Sequence, residues 1–376
     1  MPSIATRGAL SAKGYGFGMG RNGPFLWAWG ANGEGQLGLG NITNLWSPKQ
    51  VGALTTWKTI GCGHYQTTAV KTDGTLWAWG RNTNGKLGLN DVDARSSPTQ
   101  VGALTNWKTT KCNLNHSMAI KTDGTLWGWG GAPANGFGLT GLGTAVAYSS
   151  PKQVGALTTW LSLACGRYHT VATRTDGTLW SWGYNGNGQL GLGITTDFNS
   201  PKQVGALTSW KSIACKMHHS MAIKTDGTLW AWGYNGQGQL GLGDITDRSS
   251  PVQVGALTTW LAIECGNYHT VSTRTDGTLW SWGRSAEGQL GLGNVSQYIS
   301  PKQVGALTTW KSISLGAEHN TAIKTDGTLW AWGPNAQGQL GITLTGARSS
   351  PTQVGALTDW LSVACGHGNT LAIRQL

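Results

Sequence analysis

"TDGTLWAWG" spans residues 72–80, and close copies return at 122–130, 175–183, 225–233, 275–283 and 325–333. A shorter form, "FLWAWG", stands at 25–30 with no Asp-Gly before it. Asp-Gly between two strand-like runs predicts a two-residue β-hairpin. On the strand that follows, residues i and i+2 share a face, so Trp230 and Trp232 point to one side and Ala231 to the other. The residue between the tryptophans is always small: Ala28, Ala78, Gly128, Ser181, Ala231, Ser281 or Ala331. Burying one Trp removes about 150–250 Å² from water, roughly 4–6 kcal/mol gross at about 25 cal/mol per Å². Ring pairs on one face and small residues on the other predict sheets stacked face to face, with both rings of each pair between neighbours.

The copies belong to a longer repeat. "VGALT" begins at 51, 101, 154, 204, 254, 304 and 354, a period of 50 residues with one interval of 53. Residues 210–260 show the unit. "KSIAC" reads as a first strand, "HSMAIK" as a second and "TLWAWG" as a third. A long Gly-rich loop leads to Pro251, expected to open a fourth, "PVQVGAL". Repeats of this length with short strands signal a propeller or solenoid. The chain enters at a third strand and stops after a second, "NTLAIRQL", so the two ends complete one unit. The expected fold is all-β: a seven-bladed β-propeller of four-stranded antiparallel blades, closed by N- and C-terminal strands sharing one blade. Joining the two ends is expected to leave no half-blade with a free edge at either terminus. Residues 23–376 make the propeller and 1–22 a Gly-rich N-terminal extension.

Composition narrows the function classes. With 59 Gly the chain does not read as helical, and with 22 Trp it does not read as disordered. No run of about 20 apolar residues could span a bilayer as a helix. The first twenty residues lack the apolar core of a secretory signal. Cys62, Cys112, Cys165, Cys215, Cys265 and Cys365 share one repeat position, where Leu315 stands in the remaining unit. They therefore read as small buried apolar groups rather than disulfides. The net charge of +11 raises nucleic acid as a partner, but clusters of adjacent basic residues are absent, and that reading is not favoured.

"IECGNYHTVSTRTDGTLWSWG" (263–283) together with "NGNGQLGLG" (185–193) resembles the regulator of chromosome condensation repeat. The resemblance covers residues 25–376: the G-x-x-H turn, Asp-Gly hairpin, W-G strand end and G-Q-L-G loop recur in order. It implies a seven-bladed propeller. Its members range over nucleotide exchange on a small GTPase, chromatin binding, ultraviolet sensing and β-lactamase inhibition, so fold does not settle function. The exchange factors carry an inserted wedge, whereas the longest insertion here is three residues near Pro133. The photoreceptors carry Trp in the turn before the His, where this chain reads "GRYHT" and "GNYHT". The opening "RGALSAKGYGFG" resembles N-terminal segments of bacteriophage structural proteins, which implies a virion component with residues 1–22 reaching other virion proteins.

The literal G-x-G-x-x-G of Gly186, Gly188 and Gly191 lies between antiparallel strands, not the strand–helix unit that cradles phosphate. His116, His169, His219, His269 and His319 share one position with Gln66 and Asn369, which predicts hydrogen bonds that satisfy backbone between blades rather than a metal site. No nucleophile–base set stands out, so no catalytic residue, metal or cofactor is expected. Lys71, Lys121, Arg174, Lys224, Arg274, Lys324 and Arg374 precede the hairpins and Lys58, Lys108, Lys211 and Lys311 open first strands. With six hairpin Asp these eleven give 11 − 6 = +5 at one end, read as a solvated, partly paired rim.

The two ends differ when repeats are compared. Hairpins and "VGALT" links, at one end, barely vary. At the other end vary the long loops (Arg95, Tyr148, Phe198, Arg248, Tyr298, Arg348), the turns before the His position (Tyr65, Tyr168, Tyr268) and the residues after W-G (Arg81, Tyr184, Tyr234, Arg284). Arg and Tyr are enriched in binding hot spots, and loops carry function on rigid scaffolds. These thirteen residues are the expected binding face. The expected partner is a protein or glycan on a macromolecular surface, such as a host surface met by a virion; an intracellular regulator of a small GTPase or chromatin, acting through the basic end, is the alternative.

Overall fold

The computed structural model describes residues 23–131 and 136–375. The expectations for residues 1–22 and for the insertion around Pro133 lie outside them. Seven four-stranded antiparallel sheets form the ring. In one blade Trp210–Cys215, His219–Lys224, Leu229–Gly233 and Arg248–Gln253 pair in chain order. First strands line a central channel with their cysteines, and fourth strands form the circumference. The closing blade joins both ends, as expected. Pro24–Gly30 pairs on one side with Leu45–Gln50 and on the other with Asn369–Gln375, in register from Pro24↔Gln375 to Gly30↔Asn369.

Three local expectations change. The hairpin loop has three residues, not two: Gly74 N–H donates to the Lys71 carbonyl at 3.0 Å, Lys71 N–H to the Thr75 carbonyl at 3.0 Å, and Gly74 takes φ +77°. This is a type I turn closed by a left-handed residue. A Cβ on Gly74 would stand 1.9 Å from the Thr105 carbonyl oxygen, so Gly is required there twice over. The fourth strand begins at Arg248, three residues before Pro251, and ends before "VGAL". Its register slips between Gly233↔Arg248 and Ala231↔Val252. An irregular outermost strand tolerates the missing proline N–H.

The third change concerns the Trp pair. The second ring of each pair, such as Trp79 or Trp232, is fully buried, whereas the first, such as Trp77 or Trp230, is half-buried. A third indole from the same blade's first strand braces both. Trp57 meets Trp77 and Trp79 edge-on, with ring centroids 6.0 and 5.9 Å away, contacts worth about 0.5–1.5 kcal/mol each beyond burial. Three rings in each of seven blades account for 21 tryptophans, and Trp46, 38% exposed on an outer strand, is the twenty-second.

Stacking between blades follows the small-residue rule. Ala231 of one sheet packs with Trp260 and Trp282 of the next, sealed by Leu240 and Val254. The G-Q-L-G loop is the socket for the second indole. Trp282 Nε1 donates to the Gln239 carbonyl at 2.9 Å, and Thr270 Oγ1 donates to the same oxygen at 2.8 Å. Gly241, at φ +72°, leaves the ring room: a Cβ there would lie 2.7 Å from Trp282 Nε1.

The repeated histidines join blades as expected, but their Nε2 atoms meet side chains of the next blade and not the expected backbone groups. His169 Nε2 meets Ser220 Oγ of the next blade at 2.9 Å, and His116, His219, His269 and His319 meet Thr170, Thr270, Asn320 and Thr370 likewise. Burial lowers His116 and His269 to about 4 and His219 and His319 to about 3, which keeps these imidazoles neutral. Gln66 reaches the Asn113 carbonyl. Asn369, fully buried, leaves both amide atoms without a partner. All six cysteines are free and buried, as expected from the Leu315 substitution.

Candidate recognition face

At the hairpin end the Asp, Thr, Trp and pre-hairpin basic side chains are held by their own blade. Thr75 donates to Asp73 Oδ1 from its N–H at 2.9 Å and from its hydroxyl at 2.6 Å, and Trp77 Nε1 donates to Thr75 Oγ1 at 2.8 Å. These Thr75 donors hold the Asp73 carboxyl below its ordinary value, and Asp123, Asp176, Asp226, Asp276 and Asp326 repeat the arrangement. The basic residue before each hairpin lies over the first indole: Lys121 Nζ is 3.7 Å from the Trp127 ring centre, Lys224 3.6 Å from Trp230 and Lys324 3.8 Å from Trp330. Lys71, Arg174 and Arg274 also approach their hairpin Asp at 3.8, 3.5 and 3.7 Å. The expected paired rim is present, and cation–π stacking, which the sequence reading missed, takes up much of it.

The opposite end presents its variable residues in two rings. Backbone pairing builds the inner one. Arg81, Tyr184, Tyr234 and Arg284 donate their N–H groups to the carbonyls of Tyr65, Tyr168, His218 and Tyr268 at 2.7–2.9 Å. The turn before the His and the residue after W-G thus meet beside the channel. Side chains then gather in three groups. Arg81 lies over Tyr65, 5.6 Å from its centre, beside His64 and His367, whose rings stack at 3.6 Å. Tyr168 and Tyr184 sit 6.4 Å apart with Phe137 and His218 between and around them. Tyr234 faces Tyr268 at 6.3 Å, and Arg284 lies 5.9 Å over Tyr268 while pairing with Glu318 at 3.3 Å.

The outer ring comprises Arg95, Tyr148, Phe198, Arg248, Tyr298 and Arg348, each opening a circumferential strand. Among the described residues these six do not stack on one another. Arg95 and Arg248 are clamped by Asp91 and Asp244 of their own loops at 2.5 Å, and Arg348 donates to the Ala347 carbonyl at 3.1 Å. Phe198 and Tyr298 lie under Lys202 and Lys302, 5.3 and 5.7 Å away. Tyr148 and Tyr298 hydroxyls reach Thr144 and Asn294 at 3.4 and 3.3 Å. Beyond them the sequence reading missed an aliphatic residue at each long-loop tip: Ile42, Val92, Val146, Ile194, Ile245, Val295 and Leu344 are all 48–65% exposed. Their offset from the strand proline shifts by a residue or two, which hid the pattern.

Residues 107–372 match the RCC1-like domain family, and residues 25–70 and 73–120 match the regulator of chromosome condensation repeat. The chain belongs to the RCC1-like domain family. No curated protein matches it. Its fold is similar to that of human WBSCR16, at 21% identity, TM-score 0.84, 94% of this chain and 99% of that one. It is similar also to Prp20p of Saccharomyces cerevisiae, at 21% identity, TM-score 0.83, 95% of this chain and 92% of that one.

This RCC1-like propeller departs from its own repeat in one place that the sequence reading passed over. The residues before the channel cysteines are Gly61, Lys111, Ala164, Ala214, Glu264, Ser314 and Ala364, and those after include Lys216 among glycines and Asn113. Three charged side chains therefore enter a channel otherwise walled by small and apolar groups. Comparing repeats column by column reveals them, but which strand face lines the channel is set by ring closure and not by the strand's own alternation. Among the described residues no group of three or more His, Cys, Asp or Glu could hold a metal ion.

Proposed function

We propose that this propeller is a non-enzymatic recognition module that docks a protein or glycan surface against its loop face. One observation carries the reading: exposed aliphatics on all seven loop tips encircle an inner ring of Arg–Tyr and Tyr–Tyr groups. Aromatic and Arg anchors surrounded by water-excluding apolar contacts are the anatomy of an interface hot region. In its most concrete form the module is a virion surface or tail component that meets a host, with residues 1–22 as its anchor to neighbouring virion proteins.

The second reading, a regulator acting on a small GTPase or chromatin through the basic end, draws on Prp20p, whose structure is described with its binding to Gsp1p and histones. Stacking of the seven pre-hairpin cations on indoles, with Lys71, Arg174, Arg274 and Arg374 also paired with Asp, weighs against free phosphate-seeking charge there and leaves Lys58, Lys108, Lys211 and Lys311 to carry it.

The test replaces Tyr148, Phe198 and Tyr298 with Ala together, and separately Lys58, Lys108 and Lys211 with Gln. Proteins cross-linked to each purified chain in its native extract are then compared. Loss of a stoichiometric partner in the aromatic variant alone supports loop-face docking. Loss in the lysine variant alone, with DNA binding or nucleotide exchange that weakens steeply with salt, supports the second reading instead.

A further inference from the structure

The channel's three irregular charges lie at its loop-face end. Lys111, Lys216 and Glu264 line a cavity of about 130 Å³ among the cysteines. Lys216 also lines a mouth cavity of about 250 Å³ with Arg167, Asn113, His64 and His367. The turn backbones lock these together, Arg167 N–H donating to the Lys216 carbonyl at 2.5 Å. Lys216 Nζ donates to the Leu315 carbonyl across the channel at 3.2 Å. Among the described residues, neither Lys111, Lys216, Arg167 nor Glu264 has an ion-pair partner within 4 Å. Arg167 Nε is buried without any hydrogen-bond partner.

Three cations against one carboxylate leave 3 − 1 = +2 facing a confined space, where low dielectric strengthens attraction to an anion. The stacked imidazoles beside it stay neutral, since burial and then His367 lower His64 to about 3, and a neutral imidazole still offers one N–H. Residues 1–22 hold Arg7, Lys13 and Arg21 and no Asp or Glu, so that segment cannot supply the anion.

We propose that the loop-face mouth of the channel binds a phosphate dianion, held by Lys216 and Arg167 with His64 and His367 as neutral donors, and with Lys111 behind them in the channel adding to the attraction. A dianion cancels the +2, whereas a monocarboxylate leaves it half-compensated. Glu264, level with Lys111 in the channel and outside the mouth cavity, sets that balance and keeps the anion at the mouth. The phosphate is either free or a monoester group carried on a larger ligand. The site does not depend on loop-face docking, because its residues are complete within the isolated chain.

Calorimetric titration of the full chain at low ionic strength tests it, with inorganic phosphate, phenyl phosphate and acetate as probes. Phosphate is expected to bind at least tenfold more tightly than acetate. Arg167→Gln and Lys216→Met each lose at least tenfold of that affinity, and Glu264→Gln gains several-fold. Because Lys216 braces Leu315, the Arg167→Gln variant and a thermal melt separate lost binding from lost folding. The Tyr148/Phe198/Tyr298 triple variant binds phosphate as the native chain does, whatever becomes of its partner. Phenyl phosphate matching inorganic phosphate identifies an exposed monoester as ligand; markedly weaker binding identifies the free ion. No phosphate heat at millimolar concentration, or unchanged affinity in both Arg167→Gln and Glu264→Gln, overturns the site.

Discussion

The two ends of the propeller are built by opposite rules. At the hairpin end Asp holds Thr, Thr holds indole and a cation covers the ring, in blade after blade. At the loop end the backbone is equally regular, but side chains change from blade to blade and several are clamped to nothing beyond their own loop. Where each residue is the partner of another, a substitution leaves a buried or charged group unsatisfied, and the repeat stays uniform. Where residues meet only solvent, the scaffold does not care, and chemistry is free to diversify.

The strongest challenge to this contrast removes the floor on which the loops stand. Trp232→Ala empties a fully buried site beneath them and should cost about 3–5 kcal/mol in denaturant unfolding, with faster hydrogen exchange in residues 185–193, whose Gln189 carbonyl loses its indole donor. A cost below about 1 kcal/mol would mean that the loops carry themselves. Next, Asp226→Ala strips two acceptor contacts from Thr228 and should lower the unfolding midpoint measurably, while Tyr298→Ala at the other end stays within about 0.5 kcal/mol. Equal losses would erase the distinction between the ends.

The smallest effect is a gain. Asn369 is the one member of its ring that reaches no neighbour. Thr67 of the adjacent blade already donates to the Gln36 carbonyl at 2.8 Å, as Thr370 does to Gln339 beside His319. Asn369→His should complete this joint and add about 1 kcal/mol, read as a rise in melting temperature. A fall would show that the closing blade is spaced differently from the others.

The ring, the closing blade and the alternation of large and small residues were legible because each recurs seven times and depends on local strand geometry. The shared end of the Tyr65 and Arg81 positions was legible too, since antiparallel strands alternate direction. What escaped was non-local. The half-exposure of Trp230 depends on where the next blade ends, and the slip that puts Pro251 inside its strand depends on Gly233 across the sheet. Lys111 and Glu264 stand beside their cysteines on strands whose channel-facing side no local pattern marks, and only the closed ring places them in the channel.

The closing blade also has a mechanical meaning. Pro24 and Gln375 lie side by side at the hairpin end on antiparallel strands, so opposed pulls at these two points peel the pair open one bond after another. A load entering at Pro24 and leaving through the loops instead shears the whole strand against both neighbours at once. A tether attached beside Pro24 therefore holds the propeller with its loops outermost and loads it along its stronger axis.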